Sequence, residues 1–334
     1  MQARVDGLPP QSGASATDGR SRRPHPEGAS GTDAGRDFDT GRAYLIDSNI
    51  YVFRAWHASP VFLRDAEGRA LNAVHGYAEF LLRILEDVGT DRVVLAFDVP
   101  QPLPYRREIY PDYKAHRPPP PADLRPQFEL CRAFAEGVGL PVHVSDRFEA
   151  DDVIGTLATR LRAEGLAVTL LTADKDLAQL LEGQDRWWNH GRAEVLDARG
   201  VERVWGVPPK LIADLLAITG DAVDNIPGVP GIGRTTAARM LRKWGSLDGV
   251  LANLHAIGAQ KFRGAPRAQK LMLEHEETVR LARRLTGIVC DVPLGDEVRT
   301  HWQRPTPGQV EPLFEAMRLP INLRQRWISL LGRS

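Results

Sequence analysis

The chain of 334 residues carries 43 basic and 43 acidic side chains, so its zero net charge indicates neither a nucleic-acid nor a membrane partner. Its 43% hydrophobic and 26% charged content is that of ordinary globular proteins, which excludes a fibrous or wholly disordered chain. Its apolar runs are far shorter than the roughly 18 residues of a transmembrane helix, and its two cysteines cannot form a disulfide framework. We therefore expect a cytoplasmic protein of about two domains, with no membrane partner.

Residues 1–41 differ in composition from the rest of the chain. They are rich in Gly, Ser, Ala, Pro, Asp and Arg and contain one aromatic residue, Phe38. Such a segment buries too little apolar surface to offset the entropy lost on ordering, so we predict a disordered N-terminal tail. It lacks the apolar stretch of a secretory signal, and its six acidic residues argue against a transit peptide.

After this tail, the hydrophobic pattern predicts strands that alternate with helices, followed by helices alone. The expected strands are residues 43–47, 93–97, 141–144 and 167–171, and the expected helices are residues 72–88, 122–137 and 150–164. Such alternation is typical of parallel sheets, so residues 42–207 are predicted to form an α/β domain with a proline-rich arch loop at about 100–125. Residues 208–295 are expected to form a helical module, in which the apolar run 288–292 could return as a strand. Residues 296–334 are expected to form a helical C-terminal extension.

Three predicted strands run directly into an aspartate, namely Asp47, Asp98 and Asp174, and Asp176 follows two residues after the last of them. A single aspartate in such a place is typical of a cap on the next helix. Parallel strands end along one edge of a sheet, where open α/β folds bind their ligands. Three aspartates together therefore indicate a binding site at that edge.

Five further acids lie in two places where a structural explanation is also open. Glu149, Asp151 and Asp152 begin a predicted helix, where negative charge is favoured electrostatically. Asp221 and Asp224 lie in a turn, where aspartate is common for conformational reasons. Both groups are also candidates for the site at the sheet edge.

Nine carboxylates are therefore candidates for one site. They are Asp47, Asp98, Glu149, Asp151, Asp152, Asp174, Asp176, Asp221 and Asp224. Like charges that converge on one edge repel each other unless cations neutralise them, and oxygen ligands without His or Cys suit Mg²⁺ or Mn²⁺. Two such ions can hold the attacking and leaving oxygens of a phosphoryl displacement. The residues thus predict divalent-metal chemistry on a phosphate or phosphodiester.

A glycine-rich turn, Pro-Gly-Val-Pro-Gly-Ile-Gly at residues 227–233, precedes a run with helical spacing. Alone it is typical of an ordinary connection between helices, but Gly231 and Gly233 would also let the next helix bind a phosphate through its backbone N–H groups. Residues 231–270 contain eight basic side chains and one acid, which favours a nucleic-acid backbone. A metal site combined with this basic module favours a nuclease over a small-molecule phosphatase.

The predicted arch loop interleaves Tyr105, Tyr110 and Tyr113 with basic residues. Aromatic side chains can stack on bases while cations follow the strand, and the loop comes shortly after Asp98. The pattern predicts a loop that overhangs the metal edge, with a solvated proline-rich loop as the alternative.

Several segments of the chain, in this order, resemble the motifs of the 5′-nuclease family, which includes the N-terminal domain of bacterial DNA polymerase I. They are Asp47 with Phe53-Arg54-Ala55-Trp56-His57-Ala58, residues 94–98, 113–118, 149–156 and 172–176, and residues 220–233. The resemblance implies a PIN-like α/β domain with a helix-hairpin-helix module. It also implies a stand-alone nuclease that cuts DNA at single-stranded 5′ ends and 5′-flap junctions with two divalent ions.

The resemblance also implies a role for each candidate residue. The first ion would be bound by Asp47, Asp98, Glu149, Asp151 and Asp152, and the second by Asp174, Asp176, Asp221 and Asp224, with some sharing. Arg54, Lys114 and Arg117 would contact the reacting phosphate, and Tyr113 would stack on the base at the cut. The hairpin residues that would hold the uncut duplex, together with a monovalent cation, usually K⁺, are Gly231, Gly233, Arg234, Thr235, Arg239 and Lys243. Thr235 stands where many relatives have lysine, so Arg234 would supply that phosphate contact.

Two other functions stay open at this point. A non-catalytic DNA-junction binder would keep the fold without its ions, although the full set of acids favours cleavage. A PIN-type ribonuclease is the more remote alternative, because the basic helical half favours duplex DNA. We expect a monomer that acts at the nucleoid on DNA with a 5′ single-stranded end or flap next to duplex.

Overall fold

The computed structural model describes residues 41–59, 64–99, 105–295 and 297–333. The tail predicted for residues 1–41 lies outside the described residues except for Gly41, and so does the beginning of the predicted arch loop. Within the described ranges, no helix is long and apolar enough to cross a membrane.

Six strands form one mixed sheet. The strands are β1 (Arg42–Asp47), β2 (Val93–Ala96), β3 (Val142–His143), β4 (Ala167–Leu171), β5 (Arg186–Asn189) and β6 (Glu194–Leu196). Their order across the sheet is β3-β2-β1-β4-β5-β6, and every neighbouring pair is parallel except β5 and β6. The parallel sheet predicted from the sequence is confirmed, whereas the hydrophobic pattern gave no sign of the β5–β6 hairpin.

The central strand is β1, and its position explains its apolar composition. Tyr44 pairs with Val93 of β2 on one side and with Thr169 of β4 on the other. Leu45 faces one apolar core and Ile46 faces the other, so the strand is covered on both faces. The parallel register brings the carboxyl ends of β1, β2 and β4 to one edge of the sheet.

Thirteen α-helices lie within the described residues. They are α1 (Ser48–Ala58), α2 (Asn72–Val88), α3 (Tyr105–Ile109), α4 (Arg125–Gly137), α5 (Ala150–Ala163), α6 (Ala198–Trp205), α7 (Ile212–Thr219), α8 (Arg234–Trp244), α9 (Leu247–Ala252), α10 (Ala265–Glu274), α11 (Glu276–Thr286), α12 (Pro307–Ala316) and α13 (Ile321–Leu331). The helices predicted at residues 72–88, 122–137 and 150–164 correspond to α2, α4 and α5. The helical pattern predicted beyond residue 208 is confirmed by α7 to α11.

Helix α5 begins at acids that are candidates for the site at the sheet edge. Glu149 is the N-cap residue, and its backbone N–H donates to Asp152 Oδ2 at 3.2 Å as part of a capping box. Val153, Leu157 and Leu161 are buried at intervals of four residues, so they form one helical face against the core. This packing fixes the acidic start of α5 at the carboxyl ends of the strands.

Apolar side chains cover both faces of the sheet. One cluster joins the sheet to α5 and to the helices α7 to α11, and the other joins it to α1, α2, α4, α12 and α13. In the second cluster the ring centroid of Phe134 lies 6.2 Å from that of Phe314 and 5.4 Å from that of Trp327. The C-terminal extension therefore completes the core of the α/β part. The division of the chain near residue 207 stays a prediction, since the first cluster is continuous across it.

The apolar run 288–292 does not form a strand, so that prediction was wrong. Three of its backbone N–H groups donate to side chains instead, that of Ile288 to Gln179 and the other two to α5. The bond from Val289 to Asp152 Oδ1 is 2.9 Å long, and the bond from Val292 to Thr156 Oγ1 is 3.0 Å long. These side-chain acceptors stand where a neighbouring strand would otherwise accept the N–H groups.

Candidate active site

The strand-end aspartates lie side by side because β2, β1 and β4 are neighbours in the sheet. Asp47 is the last residue of β1, Asp98 follows β2, and Asp174 follows β4. The Thr172 hydroxyl donates to Asp47 Oδ2 at 2.9 Å, at the same edge. The backbone N–H of Ala150 donates to Asp98 Oδ1 at 2.7 Å, which joins the start of α5 to this edge.

The acids along this edge raise one another's pKa values. Burial and the charges of Asp174 and Asp98 raise the pKa of Asp47 to about 8. Burial and the charges of Asp174 and Asp47 raise the pKa of Asp151 well above its ordinary value. The pKa values of Asp98, Asp174 and Asp176 are also raised, with burial as the largest cause in each case. Ionising all five acids together therefore costs energy. Because a bound cation would offset this repulsion, the arrangement favours cation binding.

Two cations of the predicted arch loop lie against acids beside this edge. Lys114 Nζ is 2.5 Å from Glu149 Oε1 and 3.6 Å from Asp224 Oδ2, and Arg117 Nη2 is 2.5 Å from Asp224 Oδ1. Burial opposes the ionisation of Glu149, but Lys114 and Arg106 hold its pKa below the ordinary value. The structure therefore brings Lys114 and Arg117 to the candidate site, as ion-pair partners of its acids.

Asp152 accepts hydrogen bonds from Arg106 and from two backbone N–H groups, so its predicted role as a metal ligand was wrong. It is fully buried, and Arg106 donates to both of its carboxylate oxygens, at 2.6 and 2.8 Å. The backbone N–H groups of Glu149 and Val289 supply two further bonds. With four donors around it, this carboxylate anchors Arg106 and the start of α5. Arg106 was missed because nothing in the sequence separates it from the other basic residues of the loop.

Tyr113 points inward, so the predicted stacking on a base was wrong. Its side chain is packed in the apolar cluster beneath α5, and the residue is 2% exposed. Its hydroxyl lies 2.8 Å from Glu149 Oε2 and 3.0 Å from Asp224 Oδ2. The alternation of tyrosines with basic residues does not reveal which tyrosine faces the core.

Arg54 lies on α1 next to the β5–β6 hairpin. Both of its terminal nitrogens are 3.2 Å from Asn189 Oδ1, and its guanidinium carbon is 5.4 Å from the centre of the Tyr51 ring. Among the described residues, its hydrogen bonds therefore run to β5 and not to an acid. The predicted contact of Arg54 with the reacting phosphate stays a prediction.

The donor set of the edge fits a hard divalent cation by its chemistry, which is carboxylate oxygen only. Asp176 Oδ1 is buried and has no hydrogen-bond partner among the described residues. Lys175 Nζ is 3.9 Å from that oxygen and instead contacts Asp221 Oδ2 at 2.8 Å. A bound ion would satisfy the remaining oxygen. As the side chains lie, no three potential ligands in the described ranges are close enough together to hold an ion.

The glycine-rich turn between α7 and α8 is exposed where the sequence predicts phosphate binding. Gly231 has a φ of +87°, which residues with a side chain rarely adopt. Gly233 is the N-cap of α8, and a Cβ at that position would have open space around it. The first backbone N–H groups of a helix have no partner within it, so this bare helix start suits an anion.

One face of α8 continues the basic surface away from this turn. Thr235, Arg239 and Lys243 are exposed and spaced four residues apart, so they form a stripe along the helix, with Arg234 exposed at its start. The stripe ends in a cavity of about 460 Å³ lined by Arg239, Met240, Lys243, Trp244, Gln260, Lys261 and Phe262. The aromatic lining could not be predicted from the sequence, because its two rings come from separate parts of the chain.

Comparison with known proteins leads to the same fold. Residues 42–206 match the N-terminal, resolvase-like domain of 5′-3′ exonucleases, and residues 207–307 match the 5′-3′ exonuclease C-terminal SAM fold. The chain belongs to the 5′-3′ exonuclease family. The first of the two matched regions contains the whole sheet, and the second contains the glycine-rich turn.

The relatives include bacterial DNA polymerases. DNA polymerase I of Pseudomonas aeruginosa is 39% identical over 274 residues, which cover 82% of this chain and 29% of that protein. DNA polymerase I of Rhizobium leguminosarum is 38% identical over 258 residues, which cover 75% of this chain and 25% of that protein. The chain thus spans about a quarter of the length of these polymerases.

Solved structures of nucleases share the fold of this exonuclease-family chain. T5 5′-exonuclease with bound zinc has a TM-score of 0.60 and 17% identity, over 87% of this chain and 100% of that one. The catalytic core of Rad2 in complex with a DNA substrate has a TM-score of 0.57 and 16% identity, over 88% and 92%.

Proposed function

We propose that this chain is a metal-dependent nuclease that hydrolyses DNA phosphodiester bonds at 5′ ends and 5′-flap junctions. The observation that carries the proposal is the row of buried and half-buried acids at the strand ends and the start of α5, where desolvation and mutual repulsion raise the pKa values of Asp47 and Asp151. Such acids favour bound divalent cations, and two cations at one site suit phosphodiester hydrolysis. Membership of the 5′-3′ exonuclease family supports the same reaction.

Proteins of the same fold support the choice of ion and substrate. The T5 5′-exonuclease binds divalent zinc ions, the T5 D15 flap endonuclease forms a complex with DNA and metal ions, and the Rad2 core binds a DNA substrate. For this chain we propose two ions, either Mg²⁺ or Mn²⁺. The proposed substrate is DNA with a single-stranded 5′ end or flap next to duplex.

The acids fall into two groups by their position in the fold. Asp47, Asp98, Glu149 and Asp151 lie at the ends of β1 and β2 and at the start of α5, and would hold one ion. Asp174, Asp176, Asp221 and Asp224 lie after β4 and in the turn before α8, and would hold the other. When bound, such ions lower the pKa of a water molecule and stabilise charge on the phosphate.

Lys114 and Arg117 would orient the phosphate and stabilise the charge that develops on it. Both already lie within 2.5 Å of carboxylates of the site, so a phosphate bound by those acids and their ions would be close to them. Cations that are in place before the reaction stabilise the transition state without a further cost of reorganisation. Arg54 would add a third positive charge from the side of β5.

The exposed residues of α8 and the glycine-rich turn before it form a surface, here called the hairpin face. This surface would hold the uncut duplex through the phosphates of the DNA. Arg234, Thr235, Arg239 and Lys243 are exposed along α8, next to the bare helix start at Gly233. Contacts of this kind do not depend on sequence, and the junction would be selected by the geometry of the two regions. In this proposal the chain acts as a monomer in the cytoplasm, at the nucleoid, with K⁺ at the hairpin.

A DNA-junction binder that does not cut is the second candidate. The observation that favours it is the pairing of Lys114 with Glu149 and of Lys175 with Asp221, because these acids are neutralised without any ion. A protein of this kind would use both basic regions for binding alone.

A 5′-labelled flap duplex distinguishes the two candidates. We expect cleavage at the junction in Mg²⁺, none in EDTA, and none with the Asp174→Asn variant, which should still bind the flap. Binding without cleavage in either Mg²⁺ or Mn²⁺ would identify a junction binder. A single-stranded RNA of the same sequence, cut in preference to the flap, would identify a ribonuclease.

A further inference from the structure

The Tyr113 hydroxyl joins two acids that come from distant parts of the chain. It lies 2.8 Å from Glu149 Oε2 at the start of α5 and 3.0 Å from Asp224 Oδ2 in the turn before α8. The single phenol proton is therefore shared between two carboxylates, and each is a proposed ligand of a different ion. The contact lies where the α/β part meets the helical part of the chain.

The tyrosine is held firmly in this position. Its ring belongs to the apolar cluster that contains Val153 and Leu157 of α5. Its backbone N–H donates to the carbonyl oxygen of Tyr110 at 3.0 Å, and the next backbone N–H, that of Lys114, donates to the carbonyl oxygen of Asp224 at 2.9 Å. The hydroxyl therefore has little freedom to follow its partners if they move.

A tyrosine hydroxyl ordinarily ionises only near roughly pH 10, so the Tyr113 phenol is neutral near pH 7. The hydroxyl therefore keeps its proton and acts toward both carboxylates as a donor. This separates it from the charged Lys114, which contacts the same two acids, and from the charged Arg117, which contacts Asp224. A positive side chain competes with a metal ion for a carboxylate, whereas a neutral hydroxyl orients the carboxylate and leaves its charge available.

We propose that Tyr113 is a positioning residue of the metal site, whose hydroxyl fixes Glu149 and Asp224 relative to each other. The inference rests on the proposed function and extends it to a residue that would act through the two carboxylates it contacts. Hydrogen bonds to ligating side chains set the direction of the ligand oxygens. Their loss typically weakens metal binding by about 10- to 100-fold.

The test is Tyr113→Phe in the full chain, which removes the hydroxyl and keeps the buried ring. Mn²⁺ affinity is measured by titration calorimetry without DNA, and flap cleavage is measured as a function of Mg²⁺ concentration. We expect Mn²⁺ binding to weaken by about 10- to 100-fold and the half-saturating Mg²⁺ concentration to rise by a similar factor. At saturating Mg²⁺ the rate should return close to that of the unmodified protein.

Tyr110→Phe is the matched control, because Tyr110 lies in the same segment, three residues away. Its Mn²⁺ affinity should stay within about twofold of the unmodified protein, since the fold and the site acids are unchanged. Equal Mn²⁺ affinity in folded Tyr113→Phe, or an equal loss in Tyr110→Phe, would overturn the positioning role. So would a lower melting temperature with unshifted Mg²⁺ dependence. An unmodified protein that neither binds Mn²⁺ nor cuts the flap would refute the proposed function, and this inference with it.

Discussion

The carboxylate edge and the hairpin face hold their charges in opposite ways. At the edge the acids are buried or half-buried, and the nearby cations are already paired, as Lys114 is with Glu149. On the hairpin face Arg234, Arg239 and Lys243 are exposed. In the part of the chain that the structure describes, no acid lies within ion-pair distance of these three cations.

This difference indicates a division of labour between chemistry and affinity. Buried and paired charges are held in one geometry, which suits a transition state whose charge develops at a fixed place. Exposed cations instead attract a phosphate backbone by releasing its counter-ions, which gives affinity that depends on salt and not on sequence. The two regions should therefore respond differently to substitution, to pH and to salt.

The largest effect is expected at the edge, from Asp174→Ala. This residue follows β4 and interacts with Asp47 and Asp151, so its main proposed task is to hold an ion. Its loss should lower single-turnover cleavage by roughly 10³-fold, because ion binding contributes several kcal/mol to such a barrier. Flap affinity should change little, and stability should be kept or should rise, since one repelling acid is gone.

The control for this variant is Glu202→Ala, which removes an exposed acid of α6. It should cut at the rate of the unmodified protein. If Asp174→Ala retains turnover within about tenfold of the unmodified protein, the edge does not hold the catalytic ions. An equal loss of flap binding would instead show that the edge supplies affinity, and the comparison between the regions would fail.

The second effect in size is expected from Lys114→Ala. Lys114 lies at the site and should stabilise the developing charge, so single-turnover rate at saturating protein should fall by about tenfold or more. Lys210→Ala, an exposed lysine elsewhere, should leave this rate unchanged. A Lys114→Ala variant that loses affinity but keeps its rate would place Lys114 with the hairpin cations.

Much of the carboxylate edge could be predicted, because each of its strand ends is recognised from residues that are adjacent in the sequence. Asp47 and Asp98 each follow an apolar run directly, and Asp174 comes three residues after the end of another. The alternation of strands and helices predicts the sheet edge at which these runs end. The apolar spacing of α5 likewise predicts which face of the helix is buried. In these cases a single stretch of chain contains the whole signal, and the structure agrees with the prediction.

The errors concern contacts between distant parts of the chain. Arg106 pairs with Asp152 because the fold brings α3 beside the start of α5. Tyr113 points inward, where its hydroxyl contacts both Glu149 and Asp224. The run 288–292 has the composition of a strand, but Gln179 and two side chains of α5 accept its backbone N–H groups. Neither spacing nor composition contains these pairings.

The third prediction is that repulsion among the acids of the edge makes the stability of the ion-free protein depend on pH. The pKa of Asp47 is raised from 3.8 to about 8, so between these values the folded chain binds a proton that the unfolded chain has released. The stability of ion-free protein should therefore fall as pH rises from about 4 to about 8, with the raised acids Asp98, Asp174 and Asp176 acting in the same direction. Glu149, whose pKa is lowered, acts in the opposite direction.

Melting temperature in EDTA between pH 5 and pH 8, compared with that of Asp47→Asn, measures this contribution. The variant should have the flatter pH dependence, and saturating Mg²⁺ should flatten that of the unmodified protein, because a bound ion favours the ionised acids. Identical pH dependence in the two proteins would mean that Asp47 is not strained by its neighbours.

The smallest effect is expected on the hairpin face, from Arg234→Ala. Arg234 is exposed at the start of α8, beside the bare helix start at Gly233. Its loss should weaken flap binding severalfold and reduce the slope of log affinity against log salt by about one unit, as for one phosphate contact. Binding is measured in Ca²⁺, which we expect to support binding without cleavage, and single-turnover rate at saturating protein is measured in Mg²⁺.

Arg186→Ala provides the control, because it removes an exposed arginine of β5, far along the chain from the glycine-rich turn and α8. It should leave both the affinity and the salt slope unchanged if the slope reports specific phosphate contacts and not total charge. Uniform binding energy changes affinity, whereas an interaction made mainly in the transition state changes rate. A slower single-turnover rate with an unchanged salt slope in Arg234→Ala would therefore assign Arg234 to the chemistry. The contrast between a buried site for cleavage and an exposed face for binding would then be wrong.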